Sequence, residues 1–284
     1  MAGVAIVTDS TSDLPAAWRE REEITIVPLN VHFGDEVFRD QIDLTTDQFL
    51  DRLQRVATLP TTSQPSPALF EATFRQLAVN HEAIVAVLLA SNLSGTFQSA
   101  TLAAAAVKAL IPVELVDSRS ASMGLGFQAL RAAELARQGL PASAIAERLR
   151  GETSANHVIF FVDTLEFLQR GGRIGRAAAL IGGLLQVKPL LRVEAGEVIP
   201  AERTRTRAKA IAGLIEFVRG LPRVIRLSVL YSSGQDEAAG LADRLAGELG
   251  FPHDQIIVAQ LGPVIGTHVG PGALGVAVFA GNAI

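Results

Sequence analysis

Short apolar runs alternate with stretches of helical periodicity through the first half of the chain, the pattern of βαβ units and a mainly parallel sheet. Residues 4–7 read as a first strand. It runs into the polar cluster Thr8-Asp9-Ser10-Thr11-Ser12-Asp13, where Asp13 is expected to cap a helix opened by Pro15. A second strand region is expected over 24–31. Thr46 is expected to cap a helix whose apolar residues Phe49, Leu50, Leu53 and Val56 recur at helical spacing. The stretch 59–65 reads as a loop, and Ser66-Pro67 starts the next helix. A buried strand over 84–89 leads through Ser91-Asn92-Leu93-Ser94-Gly95-Thr96 into a helix over 97–110. A strand at 113–116 and helices over 121–138 and 142–150 complete this half.

Beyond residue 155 the pattern changes. A strand over 158–162 leads into a short helix closed by Gly171-Gly172, which suits a left-handed cap. Runs over 187–193 and 197–203 flank Ala195-Gly196 and read as a β-hairpin. Helices near 206–219 and 236–249 alternate with strands near 225–231, 256–260 and 275–280. Two α/β domains are therefore expected, 1–155 and 156–284, with a cleft between them as the default ligand site.

Composition narrows the function classes. The 284 residues carry 25 Lys and Arg against 29 Asp and Glu, a net charge of −4, which speaks against a nucleic-acid-binding surface. Cysteine is absent, so disulfide scaffolds, thiolate zinc sites and cysteine nucleophiles are excluded, and a reducing, cytoplasmic location is expected. The most apolar stretches, 102–116 and 177–187, fall short of the ~20 residues that span a bilayer. The N-terminus lacks the basic flank of a signal peptide.

Several catalytic signatures are missing as well. No phosphate-binding G-x-x-x-x-G-K-[ST] loop and no G-x-S-x-G elbow occurs. The five histidines never fall at metal-binding spacing, so no local metal motif is present. Gly124-Leu125-Gly126-Phe127-Gln128-Ala129 matches G-x-G-x-x-A. It begins six residues past the expected strand end, however, and fits small residues packing a helix closely better than a dinucleotide turn.

Three loops carry candidate chemistry. Thr61-Thr62-Ser63-Gln64 offers three hydroxyls and an amide ahead of a helix. Ser94-Gly95-Thr96 stands between a buried strand and a helix N-terminus, where free N–H groups and the helix dipole favour an anion. Neither loop holds Lys or Arg, so hydroxyls and amides would hold that anion without a cation, which suits a carboxylate. Plain helix capping explains the same hydroxyls equally well. The third stretch, 261–272, frames His268 with four glycines and two prolines between two apolar strands. His268 there suits donation to an anion or proton transfer near neutral pH, although a lone histidine is usually structural.

Arginines form two clusters. Arg170, Arg173 and Arg176 surround glycines, and Arg203, Arg205 and Arg207 alternate with period two, which places them on one face of an extended backbone. Such surfaces suit phosphate or an acidic partner. A solvated charged face accounts for either cluster too.

Read in order, IVTDSTSDLP, TSQPSP, LSGTFQSA, VDTLEFLQRGGRIGRAAALIGGLLQVKPLL and GPVIGTHVGPGALG resemble the motif set of the DegV family, the FakB-type fatty-acid-binding proteins, over about residues 6–276. The resemblance implies a two-domain DegV (EDD-type) α/β fold. Its N-terminal domain has a mainly parallel sheet flanked by helices; its C-terminal α/β domain has a mixed or antiparallel sheet. One long-chain fatty acid is expected in a tunnel between them. The resemblance assigns its carboxyl group to Thr62, Ser94 and His268, with Ser63, Gly95, Thr96 and Thr267 as additional contacts. It implies no catalytic residue, no metal and no cofactor other than the fatty acid as ligand.

It also implies a partner, a fatty acid kinase that holds ATP and phosphorylates the presented carboxyl group to an acyl-phosphate for phospholipid synthesis. Arg173 matches the region that engages this kinase, with Arg170, Arg176, Arg203 and Arg205 as further docking candidates. No nucleic acid and no stable membrane insertion are expected, which leaves room for transient membrane contact. Burying about 15 methylenes would contribute on the order of 12 kcal/mol before the costs of binding, so the tunnel would supply affinity and the polar end orientation. The competing reading is a stand-alone phosphotransferase or hydrolase acting on a small carboxylate.

Overall fold

The structure, a computed structural model, describes residues 3–181 and 188–281. The chain opens with strand β1 (Val4–Asp9), helix α1 (Ala16–Arg21) and strand β2 (Ile24–Val27). Strands β3 (Asn30–Phe33) and β4 (Glu36–Arg39), helix α2 (Thr46–Leu53), strand β5 (Thr61–Ser63) and helix α3 (Pro67–Leu77) follow. Strand β6 (Ala83–Leu88), helix α4 (Thr96–Val107), strand β7 (Val113–Asp117) and helices α5 (Met123–Arg137) and α6 (Ala142–Glu152) complete the first half. The second half begins with β8 (Asn156–Phe161), α7 (Glu166–Arg170), β9 (Lys188–Glu194) and β10 (Glu197–Thr204). It ends with α8 (Arg207–Arg219), β11 (Val224–Tyr231), α9 (Gln235–Leu249), β12 (Ile256–Gln260), α10 (Pro263–Val269) and β13 (Leu274–Ala280).

Three sheets result. The first is fully parallel, in the order β2-β1-β6-β7. The second, β10-β9-β8-β13-β11-β12, is antiparallel except for its β11–β12 pair. A small antiparallel sheet, β4-β3-β5, sits apart.

Burial follows from the strand sequences. In β6 the side chains of Ile84, Ala86 and Leu88 face α3 and α4, while Val85 and Val87 face the opposite layer, so both faces are apolar as a central parallel strand requires. Helix α5 lies between the two large sheets, and all but four of its 15 residues are buried. Its Gly124 and Gly126 permit that position: a Cβ on Gly124 would come within 2.5 Å of Val158, and one on Gly126 within 2.9 Å of the Ser12 carbonyl oxygen. The G-x-G-x-x-A stretch is thus a packing surface. Helices α8 and α9 cover the outer face of the second sheet.

Several expectations need correction. Asp13 caps no helix that follows it; Pro15 occupies that position, and Asp13 adopts a left-handed conformation and accepts from the backbone N–H of Gly262, 249 residues away. The single strand expected over 24–31 is two, because β2 joins the parallel sheet and β3 the small one. Thr45, not Thr46, caps α2, in a capping box with Gln48. Residues 61–63 form an edge strand rather than a loop.

The stretch 261–272 is largely the helix α10, opened by Pro263 and ended by Gly270 at φ 73°. Arg203, Arg205 and Arg207 do not share an extended face, since β10 stops at Thr204 and Arg207 begins α8, bonded to Glu237. The hairpin at Ala195-Gly196, with φ 51° and 79°, is as expected; Val187, placed at its start, lies outside the described residues.

Candidate functional site

Parallel strands leave their carboxyl ends as the place where ligands collect. Here the segments following β6 and β7 deliver Leu89, Leu93, Ser94, Ala121 and Ser122 to one cavity. The second sheet and α10 close it with Phe160, Leu230, Leu274, Val264 and Val269. Its interior leaves about 120 Å³ to the centre of a water molecule, roughly ten times what one buried water needs. The walls are aliphatic over most of their length.

Polar groups gather at one end. β5 brings Thr62, Ser63 and Gln64; the α4 N-terminus brings Ser94; α10 brings His268; and the segment after α7 brings Arg173. Thr62 Oγ1 and His268 Nε2 are 2.9 Å apart. His268 Nδ1 is buried without a partner. A bare lone pair is the cheaper orphan, so the proton is assigned to Nε2, which donates to Thr62 and leaves the Thr62 hydroxyl proton free for a ligand. Ser94 Oγ accepts from the Thr96 backbone N–H and lies 2.9 Å from Thr96 Oγ1. With Thr96 as donor in both, the Ser94 proton is free as well.

Electrostatics at this end differ from the sequence expectation in two ways. Burial, and secondarily the charge of Arg173, push the His268 pKa down to about 4, so the imidazole is neutral at pH 7 and does not titrate there. A cation is present after all, because Arg173 lines the cavity. Its guanidinium is held by the carbonyl oxygens of Leu93 at 3.1 Å and Gly171 at 2.8 Å.

Two glycines make the geometry possible. A Cβ on Gly171 would stand 2.3 Å from His268 Nδ1, and one on Gly95 would stand 2.6 Å from the Gln64 amide.

The other sequence candidates fall in different places. Ser63 lines the cavity, but its hydroxyl is engaged by His32 Nε2 at 2.8 Å. Gly95 and Thr96 stand behind Ser94 and do not line it, and the Thr267 hydroxyl donates back to the Pro263 carbonyl. Arg170, Arg176, Arg203 and Arg205 are exposed; Arg170 pairs with Glu166 at 2.8 Å and Arg176 with Glu197 at 3.6 Å. From the sequence, Arg173 reads only as a surface residue and Gly171 only as part of a helix cap. The G-G-R run was the available signal.

Behind the polar end, the first half of the chain grips α10. Asp13 Oδ1 accepts from Gly262 N at 2.8 Å and Asp40 Oδ1 from Val264 N at 3.3 Å, satisfying N–H groups at the helix start. Thr46 Oγ1 donates to the Leu261 carbonyl at 3.1 Å. Burial pushes the Asp13 carboxyl up to about 8 and Asp40 to about 6. Among the described residues no group of acids and histidines is arranged to hold a metal, and no helix is long and apolar enough to cross a membrane.

Comparison with known proteins meets this geometry along nearly the whole chain. A DegV domain-containing protein of Streptomyces coelicolor is 42% identical over 280 residues, covering 97% of this chain and 98% of its own. The solved structure of a fatty-acid-binding DegV family protein from Thermus thermophilus superposes with a TM-score of 0.90 at 37% identity, over 98% of this chain and 99% of that one. DegV of Bacillus subtilis, a fatty acid binding protein, gives a TM-score of 0.87 at 36% identity, over 98% and 100%. The profile of the DegV family, described as uncharacterised proteins, matches residues 3–281, and with a parallel sheet, a mixed sheet and the ordered motifs all in place the chain belongs to that family.

Proposed function

We propose that this protein binds one long-chain fatty acid, with its chain in the aliphatic cavity and its carboxylate at Thr62, Ser94 and His268, and presents that carboxylate to a separate fatty acid kinase. The observation that carries the reading is a mainly apolar cavity whose free hydroxyl donors and single lining cation converge at one end. Similar proteins from Thermus thermophilus and Bacillus subtilis bind fatty acids. A neutral His268 fixes the Thr62 hydroxyl as a donor, and the α4 N-terminus adds favourable potential for an anion. Arg173 joins the carboxylate site in this reading and anchors the α7 segment that carries Arg170 and Arg176.

Presentation to a kinase is supported by position. Gln64, at the polar end, is exposed, and so are the arginines that flank Arg173 in sequence. Arg170, Arg176, Arg203 and Arg205 are the docking candidates, and the acyl-phosphate formed would feed phospholipid synthesis. The chain divides near residue 155 on this reading, since every strand of the parallel sheet precedes that point and every strand of the mixed sheet follows it. A cytoplasmic location rests on the absence of cysteine.

A hydrolase or phosphotransferase acting alone is disfavoured by the same hydroxyl–imidazole pair. A general base needs a pKa near the working pH and a group to orient it, whereas His268 sits near 4 and its Nδ1 has no partner. Native mass spectrometry followed by denaturing extraction tests the proposal. One fatty acid per chain is expected, and acyl-phosphate should form from ATP only when the kinase is added. An apo mass that takes up no added fatty acid, or turnover by this protein alone, overturns it.

A further inference from the structure

A second cavity opens where the two halves of the chain meet. Its volume is about 550 Å³. The turn after β7, the link from α6 to β8, the end of β9 and the end of α8 form its rim. Three arginines line it, Arg119, Arg150 and Arg192, with Glu194 the one acid among the described lining residues. Arg119 makes no ion pair among the described residues. Arg192 pairs with Glu194 but leaves its Nε buried and without a partner. Arg150 is anchored by the Leu115 carbonyl at 2.9 Å and reaches Glu114 at 3.5 Å.

The cavity also has apolar lining: Phe217 and Leu221 from the α8 side of the mixed sheet, and Val158 and Val193, a cross-strand pair of β8 and β9, from its opposite face. His157 bridges the two characters, half-buried and edge-on to Phe217 with ring centroids 6.1 Å apart. Its pKa is lowered by burial and by the charge of Arg192, so it is a neutral donor facing an excess of positive charge.

We infer that this cavity is a binding site for a small organic phosphate: a phosphomonoester whose oxygens meet the Arg119, Arg150 and Arg192 guanidiniums and whose apolar body lies against Phe217 and Leu221. Guanidinium forks match phosphate oxygens bidentately, and excess positive charge in a partly enclosed cleft favours a multiply charged anion. Val158 and Val193 also line the fatty-acid cavity, so the two sites share a wall.

Phenyl phosphate is the probe, titrated into the purified full-length protein by calorimetry and by NMR of the His157 ring. Saturable binding of one molecule per chain is expected, tighter than that of inorganic phosphate, with the His157 titration midpoint moving up as the anion offsets Arg192. Arg119→Asn, which tolerates the left-handed backbone at this exposed position, and Arg192→Gln should each weaken binding about 10-fold or more, the effect of losing a hydrogen bond to a charged group, without lowering Tm. Absence of saturable binding overturns the inference. So does an unmoved His157 midpoint, equal affinity for inorganic phosphate, or an affinity that both substitutions leave unchanged.

Discussion

His268 serves the proposed carboxylate site by staying neutral. A charged imidazole would be a second cation beside Arg173 with no acid among the described lining residues to balance it, and burial together with Arg173 prevents that. The sign of the consequence is fixed. The unfolded chain takes up this proton near the ordinary histidine value of 6.5 and the folded chain only near 4, so stability from this group is full above 6.5 and is lost as pH falls between the two. Histidine NMR of the lipid-free protein should show His268 titrating far below the ordinary histidine value of 6.5, and a bound carboxylate should raise its midpoint.

Thr62→Val and Ser94→Ala each remove one donor and should weaken fatty acid binding about 10-fold or more, as expected for hydrogen bonds to a charged group, with little change in Tm. Gly171→Ala should lower affinity without touching a donor, because its methyl group would displace the imidazole; an affinity equal to wild type would show that His268 does not position Thr62. These hydroxyls were legible in the sequence because hydroxyls beside strand ends and helix starts are conspicuous. Arg173 and Gly171 were not legible as pocket residues. What places them is the return of the chain after α7 beneath α10, a tertiary contact without local pattern.

Helix α10 shows how tertiary contacts override composition. Four glycines and two prolines within 261–272 read as a loop, yet the segment is helical because its first N–H groups, which lack partners within the helix, find Asp13 and Asp40 and because Gly266 lets the ring of Phe49 approach. Neither carboxylate is near in sequence. Strands β6 and β13, with their long apolar runs, were legible for the opposite reason: burial on both faces writes itself into consecutive residues.

The clasp has a pH signature. Asp13 is raised to about 8 by burial, so the folded state holds a proton that the unfolded state releases near 3.8; the stability it contributes is full below 3.8 and lost as pH rises toward 8. Asp13→Asn keeps an acceptor for Gly262 and removes that loss. Its Tm should exceed that of wild type at pH 8 by ~3 °C or more, and the two should converge on the acid side. Thermal unfolding followed across that range checks the difference; a variant less stable at pH 8 would mean that the ionised carboxylate is what holds α10.

At the scale of the molecule, one apolar core runs through both large sheets. Ile6, Val85 and Val116 of the parallel sheet share it with Val158, Phe160 and Leu230 of the mixed sheet, joined by α5. The cavity interrupts this core, so a ligand that fills it restores packing that the empty protein forgoes. Saturation with fatty acid at 100 times Kd should stabilise the fold by about 2.7 kcal/mol, read as a concentration-dependent rise in Tm. The α/β class and the two-sheet division were legible from the alternation of elements; the shared core was not, since one sequence does not say which faces meet.

Titration of the delipidated protein with palmitate labelled with carbon-13 at the carboxyl group decides whether the polar end of the cavity holds a fatty acid carboxylate. A single bound carboxyl resonance is expected, one that saturates at one per chain and shifts when Thr62→Val, Ser94→Ala or His268→Ala is introduced. No saturable resonance, or one that all three substitutions leave in place, would contradict it.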